Sequence, residues 1–146
     1  MIAIAKEPWE YAIKYLGAKF MHMGRSPTHM DCVGLIALTM RDMGREVVDS
    51  PYYGREPARN NNSFQLHDYI EMNFGPPVTR PLRGNDIILL KLRPRLAPAH
   101  VAIVAPHPHG LGMIHTYGEI GKVVYHRIDD HRMAQIVEVF QWAPQE

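Results

Sequence analysis

The pattern of apolar residues changes character near Leu82, and that change limits the fold more than any other feature of the chain. Before it, apolar residues recur at the three-to-four spacing of amphipathic helices; after it, they run in short blocks broken by Pro and Gly. Helices first and strands afterwards do not make the alternating units of a parallel sheet. They predict an α+β domain with N-terminal helices packed on one face of a five to six stranded antiparallel sheet. The length, 146 residues, fits one domain over 1–146.

In the helical part, Pro8 suits a first helical position, Trp9, Ala12, Ile13 and Leu16 follow at helical spacing, and Gly17 closes the element. Ala18 to Met30 lack a clean period, and Gly24, Pro27 and Thr28 mark a loop. Asp31 then reads as the N-cap of a helix from Val33 to Met43, ending at Gly44, with Val33, Ile36, Ala37 and Met40 as its buried stripe. Arg45 to Asn62 reads as an exposed loop with Tyr52 and Tyr53 packed beneath it. Ser63 caps a third helix carrying Leu66, Tyr69, Ile70 and Phe74, which Gly75-Pro76-Pro77 terminates. Met40, Met43 and Met72 are expected as core filler.

Strands are expected over Asp86 to Leu92, His100 to Ala105, Gly112 to Tyr117, Lys122 to Arg127 and Gln135 to Trp142. Turns fall at Pro94 and Pro98, at Pro106 to Gly110, and at Gly118 and Gly121. Short connections imply antiparallel neighbours.

Cys32 is the only cysteine, so no internal disulfide can form and packing alone must hold the fold. It falls in the first turn of the Asp31-capped helix, where free N–H groups favour thiolate over thiol; with a cationic neighbour such a position lowers a thiol pKa from roughly 8.5 to about 3.5–7.5. A formal net charge of +1 gives no electrostatic reason to expect nucleic acid as partner. No run approaches the roughly 20 apolar residues of a membrane span. Met1 to Pro8 lack a basic start and a long apolar core, so synthesis in the cytoplasm without a signal peptide is expected.

A thiol nucleophile needs a base, and the base needs a polar group to orient it. His100 and His115 both fall inside expected strands. A hairpin register that sets His100 opposite Tyr117 puts His115 on the same face, diagonal to His100 at about 7–8 Å between Cα atoms. A shift of one residue would put the two histidines on opposite faces.

Asp31-Cys32-Val33-Gly34-Leu35, Asn85-Asp86-Ile87, His100-Val101-Ala102-Ile103 and Met113-Ile114-His115-Thr116-Tyr117, in that order, resemble the motifs of the NlpC/P60 cysteine peptidases. The resemblance runs from about Pro8 to Trp142 and is strongest to small members encoded with phage or gene-transfer-agent tail genes. It implies a papain-like fold without cofactor or metal, and hydrolysis of peptidoglycan stem peptides at the bond between D-glutamate and a diamino acid. It further implies Cys32 as nucleophile, His100 as general base and acid, and His115 as the group that orients His100. Asp31, Phe20, His22 and Tyr117 would line the substrate, and Asp86 would be structural. The resemblance also implies tail tip or hub proteins as partners and action at the bacterial cell wall from a virion tail.

Two positions depart from the family. Phe20 stands where the family has a tyrosine, so a site-lining hydroxyl is missing, with His22 as a substitute donor. Asn85 stands where the family has glycine, a change expected to alter only a turn. Three other readings of the same residues remain open: a structural tail-tip plug that keeps the fold, an acyltransferase or thioesterase using the same Cys and His, and a zinc site of Cys32, His100 and His115. His107 and His109 are expected as exposed turn residues, and His126 and His131 as solvated ones.

Overall fold

The computed structural model describes residues 6–49, 63–93 and 100–142. Helix α1 (Pro8–Ile13) starts at Pro8 as expected, and the Glu7 backbone N–H donates to the Glu10 carboxylate at 3.0 Å. Three two-residue strands follow, β1 (Lys19–Phe20), β2 (Arg25–Ser26) and β3 (His29–Met30). Strand β3 lies between the other two, parallel to β1 and antiparallel to β2. The expected loop over Ala18 to Met30 is therefore a small sheet, whose strands are too short to show a sequence period.

Helix α2 (Cys32–Asp42) and helix α3 (Ser63–Phe74) come next. Gly44 and Gly75 stop them in left-handed conformations, with φ of +78° and +84°. Every residue of α2 from Val33 to Met40 is buried, so the helix runs through the interior rather than along it. Leu66, Tyr69, Ile70 and Phe74 are buried on α3, whereas Met72 is 64% exposed and is not core filler. Leu16 is likewise exposed, because the helix ends before it. Tyr52, Tyr53, Pro94 and Pro98 lie outside the described residues.

The main sheet contains β4 (Ile87–Leu90), β5 (His100–His107), β6 (Gly110–His115), β7 (Val124–Arg127) and β8 (Ile136–Phe140). All neighbours are antiparallel, in the order β7-β6-β5-β4-β8. Pro106 and His107 belong to β5, so the turn to β6 is only Pro108-His109. One face of the sheet packs Ile87, Leu89, Val101, Ile103 and Ile114 against the helices. The other packs Ile88, Leu90, Ala102, Val104 and Met113 with Ile128 and Ile136.

Ile128 and Ile136 flank helix α4 (Asp130–Gln135), which the sequence pattern does not announce. Six largely polar residues carry no apolar stripe; the available cue is Asp129, whose carboxylate accepts from the Arg132 backbone N–H at 2.8 Å. Because β7 and β8 are adjacent in sequence but lie at opposite edges of the sheet, this segment crosses the second face.

Asn85 and Asp86 set the entry to β4. Asn85 adopts a φ of +78°, the conformation a glycine would take without strain. Its side chain accepts from the Trp9 N–H at 3.0 Å and donates to Glu7 at 2.9 Å, so it anchors the start of α1. Buried Asp86 takes both Nη atoms of Arg80 at 2.8 Å and the Arg83 N–H at 2.8 Å, a structural role throughout.

Candidate active site

The N-terminus of α2 is held by one buried carboxylate. Asp31 Oδ1 accepts from the Gly34 N–H at 2.7 Å and from Arg25 Nη1 at 3.0 Å, while Oδ2 accepts from the Met23 N–H at 2.8 Å. The carboxylate expected to touch substrate is thus engaged in joining the helix to the turn that carries His22. Arg25 is clamped in turn by Asp49, at 2.9 and 3.2 Å. Gly34 permits the closest part of this joint, since a Cβ there would sit 2.2 Å from the Gly24 carbonyl oxygen.

Cys32 is half-buried at the first position of α2. Burial pushes its thiol up to about 12, and the Asp31 carboxylate adds to the shift; backbone N–H groups of Val101 and Val33 and the Arg25 charge only partly oppose it. The expected resting thiolate is therefore a thiol. The helix-end effect is real but smaller than the cost of a buried anion beside a carboxylate. The Val101 N–H at the sulfur is the informative contact, because it brings Cys32 to the start of β5, one residue from His100.

The β5–β6 register opposes Ile103 to Ile114, which continues to His100 level with Tyr117, the register that favours a shared face. Accordingly, buried His100 Nε2 and buried His115 Nδ1 are 2.8 Å apart. Burial lowers His100 to about 3, helped by the Arg132 charge. It lowers His115 to about 2, with His100, His126 and Arg132 adding to the effect. At neutral pH the site therefore rests as a neutral thiol and neutral imidazoles.

Tyr117 stands edge-on to His100 at 5.4 Å between ring centroids and lies 5.6 Å from His115. Its hydroxyl accepts from Arg132 Nη2 at 3.5 Å. Phe20 is half-buried; its ring would touch a Cβ at Gly118 at 3.8 Å, and its N–H donates to Gly121, so it borders the turn after Tyr117. His22 is half-buried in the β1–β2 turn, whose shape is set by Met23 at a φ of +62°.

His126, expected to be solvated, is half-buried and sits 2.7 Å from His115, Nε2 to Nε2. The signal lay in β7 itself: His126 pairs with Met113 and His115 with Val124, which places the two histidines on one face. His131 and His109 are exposed, as expected, whereas His107 is half-buried at the end of β5 rather than an exposed turn residue. Among the described residues, metal-ligand spacing occurs at His67, Asp68 and Glu71 on α3. Both His67 ring nitrogens already face carboxylates, Glu138 at 2.7 Å and Glu71 at 3.0 Å, which raise its pKa.

No family model matches the chain, and no curated protein matches it in sequence. Solved structures do match. The NlpC/P60 domain of the peptidoglycan hydrolase SagA superposes with a TM-score of 0.60 at 16% identity, over 92% of this chain and 95% of that one. An NlpC/P60 family protein from Bacillus cereus gives 0.65 at 17% identity, over 99% of this chain, which spans only 42% of that larger protein. An N-acetylmuramoyl-L-alanine amidase from Bacteroides uniformis gives 0.57 at 12% identity, over 93% and 98%. The chain thus has the papain-like α+β fold of NlpC/P60 peptidoglycan hydrolase domains.

Proposed function

We propose that the protein is a cysteine peptidase acting on peptidoglycan stem peptides at a D-glutamyl to diamino acid bond. The observations that carry this reading are the Val101 N–H at the Cys32 sulfur, which brings the capped start of α2 to the start of β5, and the hydrogen-bonded His100–His115 pair one residue along that strand. Cys32 would be the nucleophile, His100 the general base and then acid, and His115 the group that orients His100.

Substrate arrival displaces water and places a carbonyl carbon against the sulfur. The Cys32 proton passes to His100 as the sulfur pair forms the new C–S bond, and the carbonyl π pair moves to oxygen. Backbone N–H groups at the start of α2, that of Cys32 among them, stabilise this oxyanion. On collapse the C–N bond breaks, the amine leaves with the proton from His100, and a thioester remains. Water, activated by His100, then adds to the thioester and releases the carboxylic acid with the thiol restored. A neutral resting pair suits this sequence, since charge separation is needed only once substrate is bound.

The proposal includes a role in a phage-type or gene-transfer-agent tail tip, with tail tip or hub proteins as partners and the bacterial wall as site of action. It rests on the resemblance of the motifs to tail-associated members, and co-purification with particles tests it. Phe20 favours a second reading, a structural plug that keeps the fold without turnover, because no hydroxyl stands at that position. One experiment separates the two. Purified peptidoglycan is incubated with wild type and with Cys32→Ala, and the fragments are analysed by mass. New stem-peptide ends from the wild type alone are expected; identical fragments from both would overturn the hydrolase reading.

A further inference from the structure

The hydrogen-bonded line from His100 to His115 continues by one more ring and then stops at a group that has a single hydrogen-bonding role. His115 Nε2 meets His126 Nε2 at 2.7 Å, and His126 Nδ1 meets the backbone carbonyl oxygen of Arg127 at 2.9 Å. Among the described residues no carboxylate is hydrogen-bonded to any of the three rings, so none supplies the usual fixed acceptor.

We infer that His126, locked by the Arg127 carbonyl, is a positioning residue that sets the tautomers of His115 and His100 and leaves the His100 Nδ1 lone pair available to take the nucleophile's proton. The inference rests on the cysteine-hydrolase reading and adds a member to its machinery.

Donor and acceptor roles fix where each hydrogen lies. A carbonyl oxygen only accepts, so His126 Nδ1 carries a hydrogen. A neutral imidazole has one N–H, so His126 Nε2 is an acceptor, and the contact at 2.7 Å requires the hydrogen on His115 Nε2. His115 Nδ1 is then an acceptor, and the contact at 2.8 Å requires the hydrogen on His100 Nε2. Each ring has one permitted tautomer, and His100 Nδ1 is left bare.

The charged groups around the chain support neutrality of its inner rings. Arg132 of α4 disfavours protonation of both His100 and His115, and Tyr117 covers them with its ring. Asp129, at the N-cap of α4, lies toward the outer end, where the Arg132 backbone N–H and then the Arg132 charge favour its ionised form.

The test uses the full chain with isotope-labelled histidine. Nitrogen NMR at about pH 8, where free imidazole is neutral, is expected to show His100 and His115 with Nε2–H and His126 with Nδ1–H. His126→Phe removes the acceptor, and should give mixed tautomers at His100 with alkylation of Cys32 by iodoacetamide slowed about tenfold, the worth of one buried hydrogen bond. His126→Gln keeps an amide oxygen for His115 Nε2 and should restore the alkylation rate to within about twofold. A wild-type His126 carrying its hydrogen on Nε2 overturns the inference. So does a folded His126→Phe with unchanged tautomers and rate, or a His126→Gln as slow as the Phe variant. None of these readouts uses peptidoglycan. Uncut peptidoglycan with the stated tautomers would sink the hydrolase reading alone, and cleavage with another tautomer pattern would sink the positioning role alone.

Discussion

Asp31→Asn separates the two jobs of the carboxylate at the start of α2. The amide oxygen at the Oδ1 position can still cap Gly34 and face Arg25, but the amide nitrogen at the Oδ2 position meets the Met23 N–H donor to donor, where 2.8 Å now separates donor and acceptor. An unsatisfied buried donor costs about 1–3 kcal/mol, and loss of charge from the Arg25 contact adds about 1. Arg25 keeps both bonds to Asp49, which limits the damage on its side. The expected destabilisation is about 2–4 kcal/mol, a fall of about 1–2 M in urea midpoint at an m-value of roughly 2 kcal/mol/M. The thiol should respond in the opposite sense. Burial, the largest cause of the raised Cys32 pKa, stays; the carboxylate, the next cause, goes, and Arg25 remains to favour thiolate. A pKa lower by about one unit gives about tenfold faster alkylation at fixed pH. A less stable protein with a more reactive cysteine is the outcome to look for, by urea titration and iodoacetamide kinetics on one preparation. Alkylation no faster than wild type would refute the electrostatic account of the thiol, and an unchanged midpoint would refute the joint.

Two further outcomes follow from the same geometry. His100 and His115 are held at about 3 and about 2 in the fold but titrate near 6.5 when unfolded, so the unfolded chain binds the extra protons on acidification. Stability should fall as pH drops below about 6.5, by up to about 1.4 kcal/mol per unit for each histidine; a urea midpoint level from neutral to mildly acid pH would contradict burial of neutral rings. Gly34→Ala would place a Cβ 2.2 Å from the Gly24 carbonyl oxygen and force the joint apart, whereas Gly118→Ala meets only the Phe20 ring at 3.8 Å. The first should cost about 1–3 kcal/mol and, by displacing Cys32 by about 1 Å, about a hundredfold in turnover; the second should resemble wild type in both thermal melting and turnover, and equal effects would refute the contact.

What was legible in the chain was what local chemistry dictates. Asp31 and Gly44 bracket α2, the apolar blocks mark the five strands of the main sheet, and the register that puts His100 and His115 on one face is the one observed. Asp86 before β4 is structural, as its motif implies, whereas Asn85 does more than alter a turn, since its side chain anchors the start of α1. The failures share a different cause. The protonation of Cys32 depends on what surrounds the sulfur, and no spacing rule reports desolvation. The paired strands at 19–30 and helix α4 are too short for periodicity, and are held by contacts made elsewhere in the molecule. His126 stands beside the exposed Arg127 in sequence, but in a strand the adjacent residue points to the other face, so its surroundings are those of Met113 and His115.

The place of β8 in the sheet bears on how the chain can be made and shortened. β4 has the sequence Ile-Ile-Leu-Leu, is buried on both faces, and is flanked by β5 on one side and by β8 on the other. During synthesis every other strand of the main sheet emerges before the one that covers this edge. Until residues 136–140 arrive, the chain presents four consecutive aliphatic residues with a row of open N–H and C=O groups, the kind of edge that recruits a second copy. A product cut before Ile136 would keep Cys32, His100, His115 and His126 and still leave that edge of β4 open, so a strand that carries none of these residues shields the chain from self-association.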